Sequence, residues 1–196
     1  PAVYGPMVAK AQADAATAGA AAGAKAGAAY ATANGPSYVP RMADAAHALG
    51  ALVRTQIVAK GASHVVLVNL PDLGGTPYAK SQAASTQTLV NGMISAFNIA
   101  LRVSVDGLDD KVLFVDAYAA SQDQQLNPAK YGFTNTTKPA CGPNALGTTS
   151  LACNATNVIA GDVSHYMFAD DVHPTPFAYS LLAKQVTDAM IARGWL

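Results

Sequence analysis

The stretch Val65-Val66-Leu67-Val68-Asn69-Leu70 decides how this chain is read. Its first four residues are apolar and mostly β-branched, without the alternation of a half-solvated strand, so they predict a strand covered on both faces. A strand of that kind needs helices around it. Just before it, Met42, Ala45, Ala46, Leu49, Leu52, Val53, Ile57 and Val58 recur with the 3.6-residue period of an amphipathic helix. Lys60-Gly61 ends that helix, with a cation in the last turn and glycine just beyond. Just after the strand, Pro71-Asp72-Leu73-Gly74-Gly75-Thr76-Pro77 reads as a loop at its carboxyl end, the edge where open α/β sheets place their sites. Asp72 reads there either as turn chemistry or as a residue at the entrance to a site.

Farther along, the pattern repeats. Ser81 to Val105 predicts a second helix with Leu89, Met93, Ile94, Phe97, Leu101 and Val105 on one face, and Lys111-Val112-Leu113-Phe114-Val115-Asp116 predicts a second buried strand. Ser121 to Ser164, poor in periodicity and rich in Asn, Thr, Gly and Pro, predicts one long loop. Thr175 to Arg193 closes the chain as a helix with Pro176 in its first turn. Two strands are too few for a stable sheet, so further strands are expected from residues outside this chain. Upstream, Met7 to Ala33 is almost wholly Ala, Gly and small polar residues, each glycine costing about 1 kcal/mol relative to alanine in a helix. Residues 1–36 are therefore expected to be a helical or flexible segment, ended by the breaker Asn34-Gly35-Pro36-Ser37, with residues 37–196 forming part of a single domain.

Composition narrows the classes of function. The chain has 196 residues, 51% hydrophobic and 12% charged, with a mean hydropathy of +0.20, the profile of a globular chain. Twelve basic residues balance twelve acidic ones without a Lys/Arg cluster, which argues against nucleic acid as a partner. Asp14, Gly19, Gly23, Lys25 and Gly27 interrupt the Ala-rich tract, so no membrane span is read. Cys141 and Cys153, the only cysteines, bracket a polar loop sequence and suggest a disulfide and an oxidising compartment; two free thiols are the alternative. The chain starts Pro-Ala-Val, with no basic n-region and no hydrophobic h-region, so any signal peptide is expected to have been removed or to lie upstream; the first residue is not a natural translation start, and the chain reads as a fragment.

Four histidines are candidates for chemistry. His47 falls within a helix and His64 at a helix-to-strand junction, so both read as structural or surface residues, while His165 precedes the closing helix by a short loop and could line a site. His173 stands apart, with Asp170 three residues before it and Pro174 after it. In such a turn a carboxylate can fold back on one imidazole nitrogen while the other faces a reacting hydroxyl, the base and orienter that serine acyl transfer needs. The competing reading is a helix cap, in which Asp170 or Asp171 satisfies backbone donors and His173 is solvated. A metal site lacks further ligands at suitable spacing.

Phe168-Ala169-Asp170-Asp171-Val172-His173-Pro174-Thr175-Pro176, followed by a helix, resembles the last block of the SGNH, or GDSL-type, hydrolases, and the segment from Val65 to Pro77 looks like the strand and loop of secreted bacterial members. The resemblance runs from about Met42 onward. It implies an α/β flavodoxin-like three-layer sandwich with a central parallel sheet, of which this chain holds the C-terminal part. It implies His173 as general base and then general acid, Asp170 as its partner, no role for Asp171, and neither metal nor organic cofactor. The family's Gly-Asp-Ser nucleophile block and its two oxyanion blocks do not occur here, since Gly161-Asp162-Val163-Ser164 is one residue too long and comes at the wrong end. The expected activity is secreted or periplasmic carboxylic-ester hydrolysis of lipid or short-chain esters, completed by an N-terminal fragment of the same protein. A phospholipase or acyltransferase on the same scaffold, or a non-catalytic secreted binding domain, are the rival readings.

Overall fold

The computed structural model describes residues 4–196, so Pro1, Ala2 and Val3 of the expected 1–36 segment lie outside the described residues. Tyr4–Leu52 is helical (α1), and the chain divides between Tyr38 and Val39 into two compact units. In the first unit residues 7–30 are exposed throughout. Its helix is carried by alanine propensity and by local contacts such as Lys10–Asp14 at 2.8 Å and the Tyr30 and Tyr38 hydroxyls at 2.9 Å.

The expected break at Asn34-Gly35-Pro36-Ser37 is overturned, because all four residues are helical. Pro36 removes one backbone donor, but side chains on either side turn back onto the helix. Asn34 Nδ2 donates to the Tyr30 carbonyl at 3.0 Å and Ser37 Oγ to the Asn34 carbonyl at 2.7 Å.

From Val39 onward the second unit follows helix, strand, helix, strand. The end of α1 widens into a π-helical stretch, Val53–Ile57, and tightens into a 3₁₀ turn, Val58–Lys60, which stops at Gly61 with φ +102°. That left-handed conformation is open to glycine at little cost. β1 (Val65–Val68) and β2 (Val112–Val115) pair in parallel, Val65 opposite Val112 and Val68 opposite Val115. Among the described residues no strand pairs along the other edge of β1. Between the strands lie a 3₁₀ turn at Leu73–Gly75, α2 (Pro77–Ser81) and α3 (Ala84–Ser104). Ala46, Val53, Leu67, Ala100, Leu101, Val105 and Val112 form the core that joins the end of α1, α3 and the strand pair.

The expected loop from Ser121 to Ser164 is partly structured, which corrects that reading. Its start is the second half of α4 (Ala117–Leu126), and β3 (Asn135–Pro139) lies within it. Asp116 begins α4 by accepting from the Ala119 N–H at 3.0 Å. The helix has little apolar stripe, which is why periodicity missed it. β3 pairs in parallel with β4 (Tyr166–Phe168), and a second core of Phe133, Met167, Phe168 and Ala178 packs β4 against α5 (Pro176–Ala192). Thr175 caps α5 by accepting from the Ala178 N–H at 3.2 Å, with Pro176 in the first turn as expected. The architecture is α/β, rich in helix, with two small parallel sheets. No described helix is long and apolar enough to cross a membrane.

Leu101 is wholly buried at 0% exposure, so Leu101→Ala is expected to lower stability by about 2–5 kcal/mol. Ile99→Ala, on the solvent side of the same helix at 64% exposure, should change it by no more than about 0.5 kcal/mol. The urea midpoint of each variant, at unchanged slope, checks the contrast.

Candidate active site

The turn between β4 and α5 carries Asp170 and His173. It is closed below by the Ala169 N–H donating to the His173 carbonyl at 2.7 Å and the Thr175 N–H donating to the Met167 carbonyl at 2.9 Å. Thr175 Oγ1 also donates to the Tyr166 carbonyl at 2.5 Å. With both limbs tied, the three-residue spacing brings His173 Nδ1 to 2.8 Å from Asp170 Oδ2 and 3.0 Å from Oδ1. An N–H on Nδ1 donates to this carboxylate, so Nε2 carries the lone pair in the neutral ring.

Asp170 is 4% exposed, and a carboxylate so buried needs partners. Oδ1 accepts from the backbone N–H groups of Val172 at 2.9 Å and His173 at 2.7 Å, and Oδ2 accepts from the Ser150 N–H at 2.7 Å. Burial pulls the carboxyl upward, and the hydrogen bonds from His173, Ser150 and Val172 outweigh it, holding Asp170 well below the usual carboxylate range. The side chains are asymmetric in exposure: Asp170 is 5% exposed and His173 57%. The charge is fixed inside and the ring looks outward. The helix-cap alternative is partly present too, since Asp170 does satisfy backbone donors of its turn while also binding the imidazole.

His173 lines a cavity of about 270 Å³ between the carboxyl end of β1, β4, α4 and α5. Its walls are mainly apolar, including Val68, Leu73, Ala120, Met167, Phe168 and Leu182, with Asn69, Asp72, Ser121 and Gln185 as polar points. Asn69 is buried and ties the strand ends together. Its Nδ2 donates to Asp116 Oδ1 at 2.9 Å while its Oδ1 accepts from the Tyr118 N–H at 3.1 Å. Asp72 unites both sequence readings. It accepts from the Gly75 N–H at 3.2 Å, as turn chemistry requires, and it lines the cavity. Gln185 donates through Nε2 to the Asp116 carbonyl at 3.2 Å, and its buried Oε1 has no protein partner.

The other histidines stay out of this cavity. His165 donates from Nδ1 to the Gly132 carbonyl at 2.7 Å and stacks on Phe177 at 4.2 Å, so its place in the chain near the site does not bring it into the site. His47 bonds Ser104 Oγ at 2.9 Å, and His64 meets Trp195 edge-on at 4.7 Å. Asp171 contributes its backbone carbonyl to the Tyr78 N–H at 2.9 Å. Cys141 and Cys153 are bonded to each other. Three contributors escaped the sequence: the Ser150 N–H, Asn69 and Gln185. No motif marks them, because each acts through a contact made only after folding.

The unit is thus a helix-rich α/β fold that sets an Asp–His turn beside a mainly apolar cavity. The chain belongs to the GDSL-like lipase/acylhydrolase family, whose pattern matches residues 13–186. Among its relatives are the GDSL esterase/lipase APG of Arabidopsis thaliana, 31% identical over 150 residues, covering 71% of this chain and 41% of the relative. The GDSL esterase/lipase At1g58430 of the same plant is 28% identical over 153 residues, covering 72% and 41%. The anther-specific proline-rich protein APG is 29% identical over 157 residues, covering 76% and 28%. The chain thus spans about two fifths, or less, of these relatives' length. They are plant proteins, whereas the segment from Val65 to Pro77 was expected to look bacterial.

Because its folded-state pKa is depressed, the stability Asp170 contributes is fully present above the ordinary carboxylate range near 4 and is lost as the pH falls toward the lowered folded value. Asp170→Asn should therefore be markedly less stable than wild type at pH 6, with the gap closing steadily below pH ~4. Urea midpoints of both proteins across that range check the sign.

Proposed function

We propose that the chain is the C-terminal part of a carboxylic-ester hydrolase in which Asp170 and His173 serve a nucleophilic serine supplied by an N-terminal segment or chain. The observation that carries the reading is the fixed Nδ1 contact of His173 at 2.8 Å to a buried carboxylate, made beside an apolar cavity. Asp170 orients the ring and stabilises the imidazolium. Nε2 takes the proton as the serine oxygen attacks the ester carbonyl. It returns that proton to the leaving alkoxide as the tetrahedral intermediate collapses to acyl-serine. Water repeats the cycle with His173 again as base, releasing the carboxylic acid and freeing the serine. No metal or organic cofactor enters these steps.

The same N-terminal part supplies the oxyanion donors, for without them the intermediate's charge is unstabilised and this chain alone is nearly inactive. It also supplies the strands that complete a flavodoxin-like three-layer sandwich, beginning at the edge of β1 that lacks a partner. The mainly apolar lining of the cavity favours the acyl or alkyl arm of a short-chain or lipid ester. The Cys141–Cys153 bond fits a secreted protein.

A serine-directed fluorophosphonate applied to the native material tests the reading. The label is expected on a serine outside these 196 residues, and His173→Ala is expected to abolish both labelling and hydrolysis of p-nitrophenyl butyrate, with Asp170→Asn reducing both strongly. Label on a serine of this chain, or wild-type turnover in either variant, would contradict it. Intact mass under denaturing conditions adds a second arm: a lone 19.9 kDa species that still hydrolyses esters would rule out the N-terminal partner.

A further inference from the structure

We propose that the loop closed by the Cys141–Cys153 disulfide is a positioning element of this site, acting through the backbone N–H of Ser150, which fixes the carboxylate of Asp170. The inference rests on the reading of Asp170 as the residue that orients His173, and it adds a part that lies 20 residues away in the chain.

The two oxygens of Asp170 are held by different segments. Oδ1 is held from within its own turn, by the Val172 and His173 N–H groups. Oδ2 accepts from the imidazole and, from outside the turn, from the Ser150 N–H at 2.7 Å. Without the Ser150 contact, Oδ1 is still anchored, but rotation of the carboxyl plane is resisted only by the imidazole it is meant to orient. The same loss leaves a buried carboxylate short of a donor.

The disulfide fixes where Ser150 stands. One wall of the loop is bonded to the strand that leads into Asp170, with the Ala140 N–H donating to the Phe168 carbonyl at 2.9 Å and the Cys141 N–H to the Ala169 carbonyl at 2.8 Å. The other wall, Ser150–Ala152, is a 3₁₀ turn that leads into Cys153. The bond between Cys141 and Cys153 joins the walls, and inside the loop Asn144 Nδ2 braces the Thr149 carbonyl at 2.7 Å. A stapled loop of 12 residues' separation thus carries one amide to one carboxylate oxygen. Among the described residues the ionisable side chain in contact with that carboxylate is His173.

Ser150→Pro deletes the N–H without disturbing the turn's shape. Ser150 is the first residue of the 3₁₀ turn, and Thr149 before it already has the extended backbone, φ −70° and ψ 143°, that a residue preceding proline adopts. Ser150→Ala keeps the N–H and serves as the comparison. The primary readout is the ¹³C titration of the Asp170 carboxyl in the isolated chain, which needs no nucleophile. The expected result is an upward shift of about one pH unit in Ser150→Pro and a smaller one in Ser150→Ala, which loses only the hydrogen bond of the Ser150 side chain to the carboxylate. Reduction with dithiothreitol, which passes two electrons and two protons to the disulfide to give two thiols and the cyclic oxidised reagent, should shift it likewise and reversibly. In the native enzyme Ser150→Pro should lower kcat several-fold at unchanged KM.

An Asp170 titration that stays at its wild-type position in Ser150→Pro overturns the proposal, and if that variant does not fold, an unmoved titration in the reduced chain does so. A moved titration in native material that neither hydrolyses esters nor takes the fluorophosphonate supports the Ser150 contact while refuting the hydrolase reading, so the two fail separately.

Discussion

The buried carboxylate of Asp170 is the constraint around which the C-terminal half of this chain is arranged. Three backbone N–H groups and one imidazole nitrogen converge on it, and a charge removed from water is tolerable only when so fully bonded. Each donor comes with a structural requirement. The Val172 and His173 amides require a tight turn, which Thr175 and the ends of β4 and α5 hold closed. The Ser150 amide requires a loop brought back to the turn, and the disulfide provides the link. The imidazole is then the one partner with a free side, and it faces the cavity.

The first sheet and its helices give that turn a wall to face. Leu101 and its neighbours fix α3 and the end of α1 against β1 and β2, and Asn69 with Asp116 ties the carboxyl ends of the two strands. The end of β1, the loop at Asp72, α4 and α5 bound the cavity that His173 lines. In an open parallel sheet the carboxyl edge is where backbone ends and loops leave room for a ligand. The fold therefore brings two separately cored pieces, the β1–β2 layer and the β3–β4–α5 layer, to one concave place.

Much of this was legible in the sequence wherever the signal was local. The run of Val65 to Val68 marks a strand, although only Leu67 of it is buried where cover on both faces was expected; the stripe through Leu101 and the Thr175-Pro176 helix start are each readable from a few consecutive residues, and the Asp170–His173 contact needs only a three-residue turn. What stayed hidden depends on tertiary contacts or lacks a period. α4 is mostly Ala, Gln and other polar residues with little apolar stripe, β3 is polar and ends in proline, and β4 is three residues long, so only packing makes them strands and helix. Proline at position 36 looked like a stop, yet local side-chain bonds keep the helix running. His165 looked close to the site in sequence, but stacking on Phe177 turns it to another partner. Ser150 could not have been found, because it contributes an amide that every residue but proline possesses.

If Asp170 orients the ring as its hydrogen bonds imply, it holds His173 in the tautomer protonated at Nδ1, leaving Nε2 to accept a proton. The ¹⁵N shifts of the His173 ring in neutral solution measure this directly. An Nδ1–H tautomer is expected in the wild-type chain, giving way to the Nε2–H form, the one favoured in free histidine, when Asp170 is replaced by asparagine. An Nε2–H ring in the wild-type chain would contradict it.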